Sequence, residues 1–210
     1  MQGKSPIDEP PSDASKLESA AKRIHEKTMG GMPDEIHTVP LSSHVWISPE
    51  TVENWAKEMK ALGFKEAGIF TLKEKPEFIH LAFVNESEKA GAIITEFKKS
   101  KLWFYFYSEH SNGTNIIVTN REDRGMLKPP YTFTIHDPGG SPTQLHQRLL
   151  TERVEKNLLV LTADNVPQLQ EKHWAVDVAW RKKRGPSIPD IINVVRTMPP
   201  SPGEKGQPGT

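Results

Sequence analysis

The chain has 210 residues, with 27 basic against 27 acidic side chains and no cysteine. Zero net charge excludes a general electrostatic pull toward nucleic-acid phosphates or anionic membranes, and the lack of cysteine excludes disulfides, thiol catalysis and thiolate metal sites. Only 35% of the residues are hydrophobic and 18 are proline, so part of the length is expected to stay outside any core.

That part falls at the ends. Residues 1–15 and the closing run TMPPSPGEKGQPGT carry almost no bulky apolar side chains and cannot bury enough surface to offset their ordering entropy. The expected division is a disordered or loosely helical segment over 1–38, a single α+β domain over 39–197 and a disordered tail over 198–210. No apolar run approaches the roughly 20 residues of a membrane helix. The first residues lack the apolar core of a signal peptide. Membrane insertion is therefore not expected, and the reading is a soluble, cytoplasmic protein.

A helix is predicted over Asp13–Met29, with a Ser15/Glu18 capping box, a thin Leu17/Ala21/Ile24 stripe, and Gly30-Gly31 to end it. A stronger one starts at Ser48-Pro49-Glu50, with Val52, Trp55, Met59 and Leu62 on one face. Gly63 is placed as its left-handed C′ residue, and Phe64 as the apolar partner of a Schellman ending. From residue 66 the period changes from 3.6 to 2, predicting strands at about 66–73, 77–84, 90–97, 101–108, 114–119 and 131–136. Short links favour antiparallel neighbours; the longest is 120–130. The run Leu102 to Tyr107 is apolar or aromatic on both faces, as in a central strand covered on both sides.

Ser141-Pro142-Thr143-Gln144 predicts a capped helix with Leu145, Leu149 and Leu150 on its apolar side. Leu158 to Leu161 is a short buried run of open type. A longer helix is expected over about 165–184 and a last short one over 187–198. The order gives an antiparallel β-meander of about six strands with an N-terminal helix and two or three C-terminal helices, laid across one face of a curved sheet.

The segment from Leu62 to about Arg184 resembles a group of uncharacterised bacterial proteins. The resemblance rests on Leu62-Gly63-Phe64, Val118-Thr119-Asn120, Pro129-Pro130, Ser141-Pro142 and Ala179-Trp180-Arg181. It implies a bacterial domain of its own type, and that family carries no known activity or site residues.

Eight histidines are the first place to look for chemistry. His136 and Asp137 end the sixth strand before a Pro-Gly-Gly turn, and His146 lies one turn into the next helix. If they converge they make a metal site or a general-base pair; otherwise Asp137 makes an Asx-turn and His136 is a strand-end residue. No HxH or HExxH spacing is present, and neither a metal nor a cofactor is expected. The turn before Ser141 reads as a tight turn ahead of an anion site. Arg181 to Arg184 read as a solvated helix end rather than a nucleic-acid patch. Trp103, Tyr105 and Tyr107 share one row of a strand, and Trp180 stands off the stripe of the long helix, so these four are the candidate ligand contacts. The expected function is a non-catalytic binding or protein-interaction domain, taking a protein or a small apolar ligand between sheet and helices. The alternative is an enzyme with a polar site near His136 and Asp137.

Overall fold

The computed structural model describes residues 13–123 and 128–185, without the side chains of residues 13–18, 20, 24 and 28. The tails and the helix expected over 187–198 lie outside the described residues. The chain divides into two compact units. Among its described residues the smaller contains α1 (Asp13–Gly30), which fills the first predicted helix, and the last turn of the final helix. The larger, Pro33–Asp123 with Lys128–Arg181, holds the sheet.

That sheet has seven strands in sequence order: β1 (Thr38–Leu41), β2 (Lys65–Leu72), β3 (Lys75–Asn85), β4 (Ala90–Phe97), β5 (Lys101–Glu109), β6 (Asn115–Thr119) and β7 (Thr132–His136). Six of them match the predicted runs. β1, with sequence Thr-Val-Pro-Leu, is an addition. It is four residues long and contains Pro40, which a strand tolerates at a sheet edge, where this one lies. β6 and β7 are parallel, with Asn115 opposite Thr132 and Thr119 opposite His136, so the expected meander is antiparallel only as far as β6. The physical reason is the link. Residues 120–131 are long enough to carry the chain back past β6, as a parallel return needs about a dozen residues, whereas the links from β2 to β6 are short reversals.

The helices cover both faces, not one. Leu81, Phe83, Ala92, Ile94, Phe104, Phe106, Ile116 and Val118 pack under α2 (Pro49–Ala61) and α3 (Pro142–Glu152). Phe70, Leu72, Ala82, Val84, Ile93 and Tyr107 pack with Leu161 and with Val166, Leu169 and Trp174 of α4 (Asn165–Arg184). Side chains alternate across a strand. The runs Leu81-Ala82-Phe83-Val84 and Ala92-Ile93-Ile94 therefore present apolar surface to both sides, and one helical layer cannot bury it.

Local endings follow the sequence closely. Gly63 has φ 86°, and the Phe64 and Gly63 amides donate to the carbonyls of Met59 and Lys60, both at 3.1 Å, which is the Schellman pattern. Phe64 is buried against Phe106, ring centroids 5.3 Å apart. Ser141 and Gln144 form the reciprocal capping box of α3. Ser48 differs: its hydroxyl pairs with that of Thr51 at 2.7 Å and makes no side-chain cap. On α2 the core positions are Val52, Ala56 and Met59, while Trp55 is half-buried and meets Phe104 edge-on at 4.7 Å.

The boundary drawn between residues 38 and 39 falls inside the larger unit. Ile36 is 3% exposed, the Trp174 indole donates to the Pro33 carbonyl at 2.8 Å, and the Thr38 amide and hydroxyl donate to Glu171 at 2.6 and 2.7 Å. An isolated isoleucine in a polar run carries no periodic signal, which is why the sequence placed it in the leader. In the full chain, Ile36→Ala is expected to cost about 2–4 kcal/mol by urea titration. Val45→Ala, at a site 85% exposed, is expected to stay within about 0.5 kcal/mol. Equal small effects at both positions would put Ile36 outside the core.

Candidate functional site

Pairing within the sheet sorts the residues of β5. Phe104, Phe106 and Ser108 face α2 and α3; Trp103, Tyr105, Tyr107 and Glu109 face α4. Across β6, Asn115 stands opposite Glu109 and Ile117 opposite Tyr107; on β7, Thr134 stands beside Ile117. From above, α4 brings down Gln170 and His173, one helical step apart and among the apolar positions Val166, Leu169 and Trp174. The seam between α4 and the β5–β7 end of the sheet is therefore built largely from polar side chains.

Contacts in this seam are close. Tyr105 donates its hydroxyl to Gln170 Oε1 at 3.2 Å. Lys172 Nζ lies 3.1 Å from Glu109 Oε1, and His173 Nε2 lies 2.6 Å from Glu109 Oε2. The last pair is the closest polar contact of the seam. Tyr107 packs on the Gly91 backbone so closely that a Cβ at Gly91 would clash with its ring and hydroxyl. Glycine is required there by that approach, not by backbone conformation.

Three buried side-chain atoms lack an aligned hydrogen-bond partner or ion-pair contact among the described residues: Tyr107 Oη, which has Gln170 beside it, Asn115 Oδ1 and Thr134 Oγ1; Glu109 Oε2 and His173 Nε2 have each other. All three lie in the layer between the sheet and α4. On the α2/α3 face the buried polar groups are satisfied. Glu96, 1% exposed, accepts from His44 Nε2 at 3.0 Å and the Ile47 amide at 2.6 Å. Ser108 donates to the Lys89 carbonyl, and Asn85 donates to Glu88. An unpartnered buried polar group costs about 1–3 kcal/mol, and net domain stability is only about 5–15 kcal/mol. Such groups are satisfied in folded proteins by ordered water or a bound molecule, or are carried as a cost to stability.

Electrostatics fix which groups donate. Burial pushes the Tyr105 phenol well up; it does the same to Tyr107, where the Tyr105 and Glu109 charges add to the effect. Both hydroxyls keep their protons at neutral pH. Burial opposes ionisation of Glu109, but the His173 imidazole and the Lys172 ammonium outweigh it and hold the carboxyl below its ordinary range. The seam thus offers two phenols, one carboxylate, an amide oxygen, a threonine hydroxyl and an imidazole.

The candidates read from the sequence are dispersed. His146 is buried on the opposite face, in ring contact with Phe64 and Phe106 and donating to Glu88 at 2.7 Å. His136 donates from Nδ1 to the Arg121 carbonyl at 2.8 Å, and its Nε2 is 3.7 Å from Asp123. Asp137 is 3.7 Å from Arg148, and its carbonyl closes the turn to Gly140. The fold does not bring these three together. Among the described residues no three histidines and carboxylates gather as a metal-ligand set. Trp103 lies under the Arg121 guanidinium at 5.0 Å, and Trp180 lies beside Arg181 at 5.9 Å. Only Tyr105 and Tyr107 fall in the seam. Sequence reasoning missed Glu109, Asn115, Thr134, Gln170 and His173; Asp177, one turn beyond His173 on α4, has Arg181 as its partner at 2.7 Å. The available signal was Glu109, a carboxylate in phase with Tyr105 and Tyr107.

No family model, no curated protein and no solved structure matches the chain.

Two predictions follow from this geometry. Gly91→Ala is expected to cost about 2–3 kcal/mol through overpacking, with most of the loss recovered in a Tyr107→Leu background; an undiminished cost there would locate the clash elsewhere. The second concerns acid. His80, 3.0 Å from Thr95 on this same face, is lowered by burial to about 4. A depressed histidine is stabilising above its unfolded value near 6.5, and that contribution is lost as pH falls toward 4, amounting to about 3 kcal/mol. The lowered Glu109 acts in the same sense at lower pH: its contribution is present above the ordinary carboxylate range and disappears as pH falls through its folded value. Urea midpoints should thus decline from pH 6.5 downward, and His80→Phe should flatten the limb between 6.5 and 4. An unchanged limb would refute the assignment.

Proposed function

We propose that the chain is a non-catalytic binding domain that takes a small polar molecule into the seam between α4 and the β5–β7 end of the sheet. The observation that supports this reading is that the buried polar atoms without an aligned partner, on Tyr107, Asn115 and Thr134, fall in that one layer, beside the Glu109–His173 contact. The aromatic strand led the sequence reading toward an apolar ligand. The apolar face is instead occupied by the chain's own side chains, with Phe83, Phe104, Phe106, Leu145 and Leu149 at 0 or 1% exposure. Polar recognition is what the other face has to offer. Asn115 and Thr134, on neighbouring strands, are the groups that a small molecule with both donors and acceptors would satisfy, and the Glu109 charge is already balanced by Lys172 and His173.

The enzymatic alternative at His136 and Asp137 gains no support from their placement, since each is engaged separately. The acid–base pair in contact is Glu109–His173, and it lies in the proposed binding seam. Cytoplasmic location and bacterial kinship belong to this reading on sequence landmarks alone; no helix among the described residues is long and apolar enough to cross a membrane.

The test uses the sign of a stability change. Tyr107→Phe and Thr134→Val remove polar atoms without an aligned partner while keeping shape, so in ligand-free protein each is expected to raise stability by up to about 1 kcal/mol. Thermal shift against a panel of uncharged polyols, amides and amino acids should give at least one compound that raises Tm in the native chain. At 100-fold excess over Kd the gain is about 2.7 kcal/mol, and the double variant should lose it. If both substitutions destabilise and no compound shifts Tm, the seam is a hydrated structural interface and the proposal is wrong.

A further inference from the structure

A second feature lies at the β5–β6 turn, just beyond the strand ends that carry Glu109 and Asn115. The β5–β6 turn and the connection between α3 and α4 enclose a cleft of about 280 Å³, lined by His110, Asn112, Thr114, Val154, Lys156 and Asn157. That volume is at the small end for ligand sites, so it suits a molecule of a few heavy atoms.

Its walls are fixed by the backbone. The amides of His110 and Gly113 donate to the carbonyls of Thr114 and His110 at 2.8 and 2.9 Å, closing the turn. Across the cleft the Ser111 amide donates to the Asn157 carbonyl at 2.9 Å, and the Leu159 amide to that of Glu109 at 2.8 Å. Asn157 holds a left-handed conformation, φ 60°, which asparagine tolerates better than most residues. His110 Nδ1 lies 2.9 Å from the Lys156 carbonyl. A carbonyl only accepts, so the proton sits on Nδ1 and the ring is locked in place.

The free groups are mostly donors. Asn112 Oδ1 is already used by the amide and hydroxyl of Thr114, at 3.0 and 2.7 Å, which leaves its amide nitrogen. No hydrogen bond engages the Asn157 side chain, and Lys156 has no ion pair among the described residues. No carboxylate lines the cleft; the adjacent Glu155 is held by Arg153 at 2.8 Å. Val154, 65% exposed, supplies an apolar side. One unpaired ammonium, two carboxamides and an exposed valine on a braced frame match an anionic head with a short aliphatic tail.

We propose that this cleft binds small organic carboxylates, with Lys156 and the Asn112 and Asn157 amides on the carboxylate and Val154 on the alkyl chain. The site stands independently of the seam under α4.

The experiment is a titration of the full-length ¹⁵N-labelled chain with butyrate, read by amide chemical shifts. Saturable shifts confined to His110–Thr114 and Val154–Asn157, with Kd in the millimolar range, are the expected result. Lys156→Met should weaken binding at least tenfold and Lys156→Arg should retain it. Asn157→Gly, which keeps the left-handed backbone and removes the amide, should weaken it severalfold. Lys156 and Asn157 are exposed, so these variants should fold. Three outcomes would overturn the proposal: no saturable shift with butyrate, an equal response to butylammonium, or binding unaffected by Lys156→Met. Inorganic phosphate binding as tightly as butyrate would also overturn it, by removing any part for Val154.

Discussion

Strand β5 lies between β4 and β6, and the alternation of its side chains imposes the layering of the whole sheet unit. Phe104 and Phe106 on one side and Tyr105 and Tyr107 on the other are too large to be left to water, so both faces require a cover. The capped helix α3, with Leu145 and Leu149, answers the first need together with α2. α4 answers the second, and its burden is different. The side chains it must cover carry hydroxyls at their far ends, and the same row ends in a carboxylate at Glu109. Apolar bodies with polar tips need a cover that is apolar near the strand and polar above it. Leu169, Gln170, His173 and Trp174 on one side of α4 have that mixed character.

This difference decides how each cover is held. α2 and α3 are fixed by burial of their own leucine, methionine and valine side chains. α4 buries only Val166 and Val178 fully, so much of its attachment is made at its flanks through hydrogen bonds. Glu171 receives both the amide and hydroxyl of Thr38, Trp174 donates to the Pro33 carbonyl, and the Tyr131 hydroxyl donates to the Val176 carbonyl at 3.0 Å. Each such bond contributes about 1 kcal/mol net, less than a buried leucine. Segments far apart in sequence are thereby made to depend on one another: the residues before β1 and those before β7 both act as clasps for the same helix.

How much of this was legible follows from where each instruction is written. Turn chemistry and caps are local, so Gly63-Phe64 and Ser141 to Gln144 stated their structures directly. Six strands were legible because alternation and short links are local too. β1 was not, because four residues with a proline have no period of their own and exist as a strand only by pairing with β2. The parallel return of β7 depends on a path, and composition does not encode direction. The candidate site was the least legible. His136, Asp137 and His146 are close in sequence, but the sheet separates His136 from His146 by sending the strand and the helix to opposite faces. Glu109, Asn115, Thr134 and His173 are spread over 65 residues and meet only through strand register and the landing of α4. Tyr105 and Tyr107 were singled out for their aromatic rings, whereas it is the hydroxyl of Tyr107 that lacks an aligned partner.

The fully buried carboxylates Glu96 and Glu109 show why burial alone does not mark a site. Both end a strand, and both are sealed from solvent. Glu96 receives a backbone amide and an imidazole at hydrogen-bond distance, and in doing so pins the loop from His44 to Ile47 over the edge of the α2/α3 core. Its negative charge is consumed by local structure, which is what a folding role requires. Glu109 is held by Lys172 and His173, one at each oxygen, and on the neighbouring strand the amide oxygen of Asn115 lacks a donor. A buried acceptor without a donor is unfavourable for folding. A leucine at 115 would avoid that cost. A group that destabilises the empty fold and is satisfied by an added molecule ties stability to occupancy, and on that ground the proposed ligand is assigned to the α4 face rather than the apolar one.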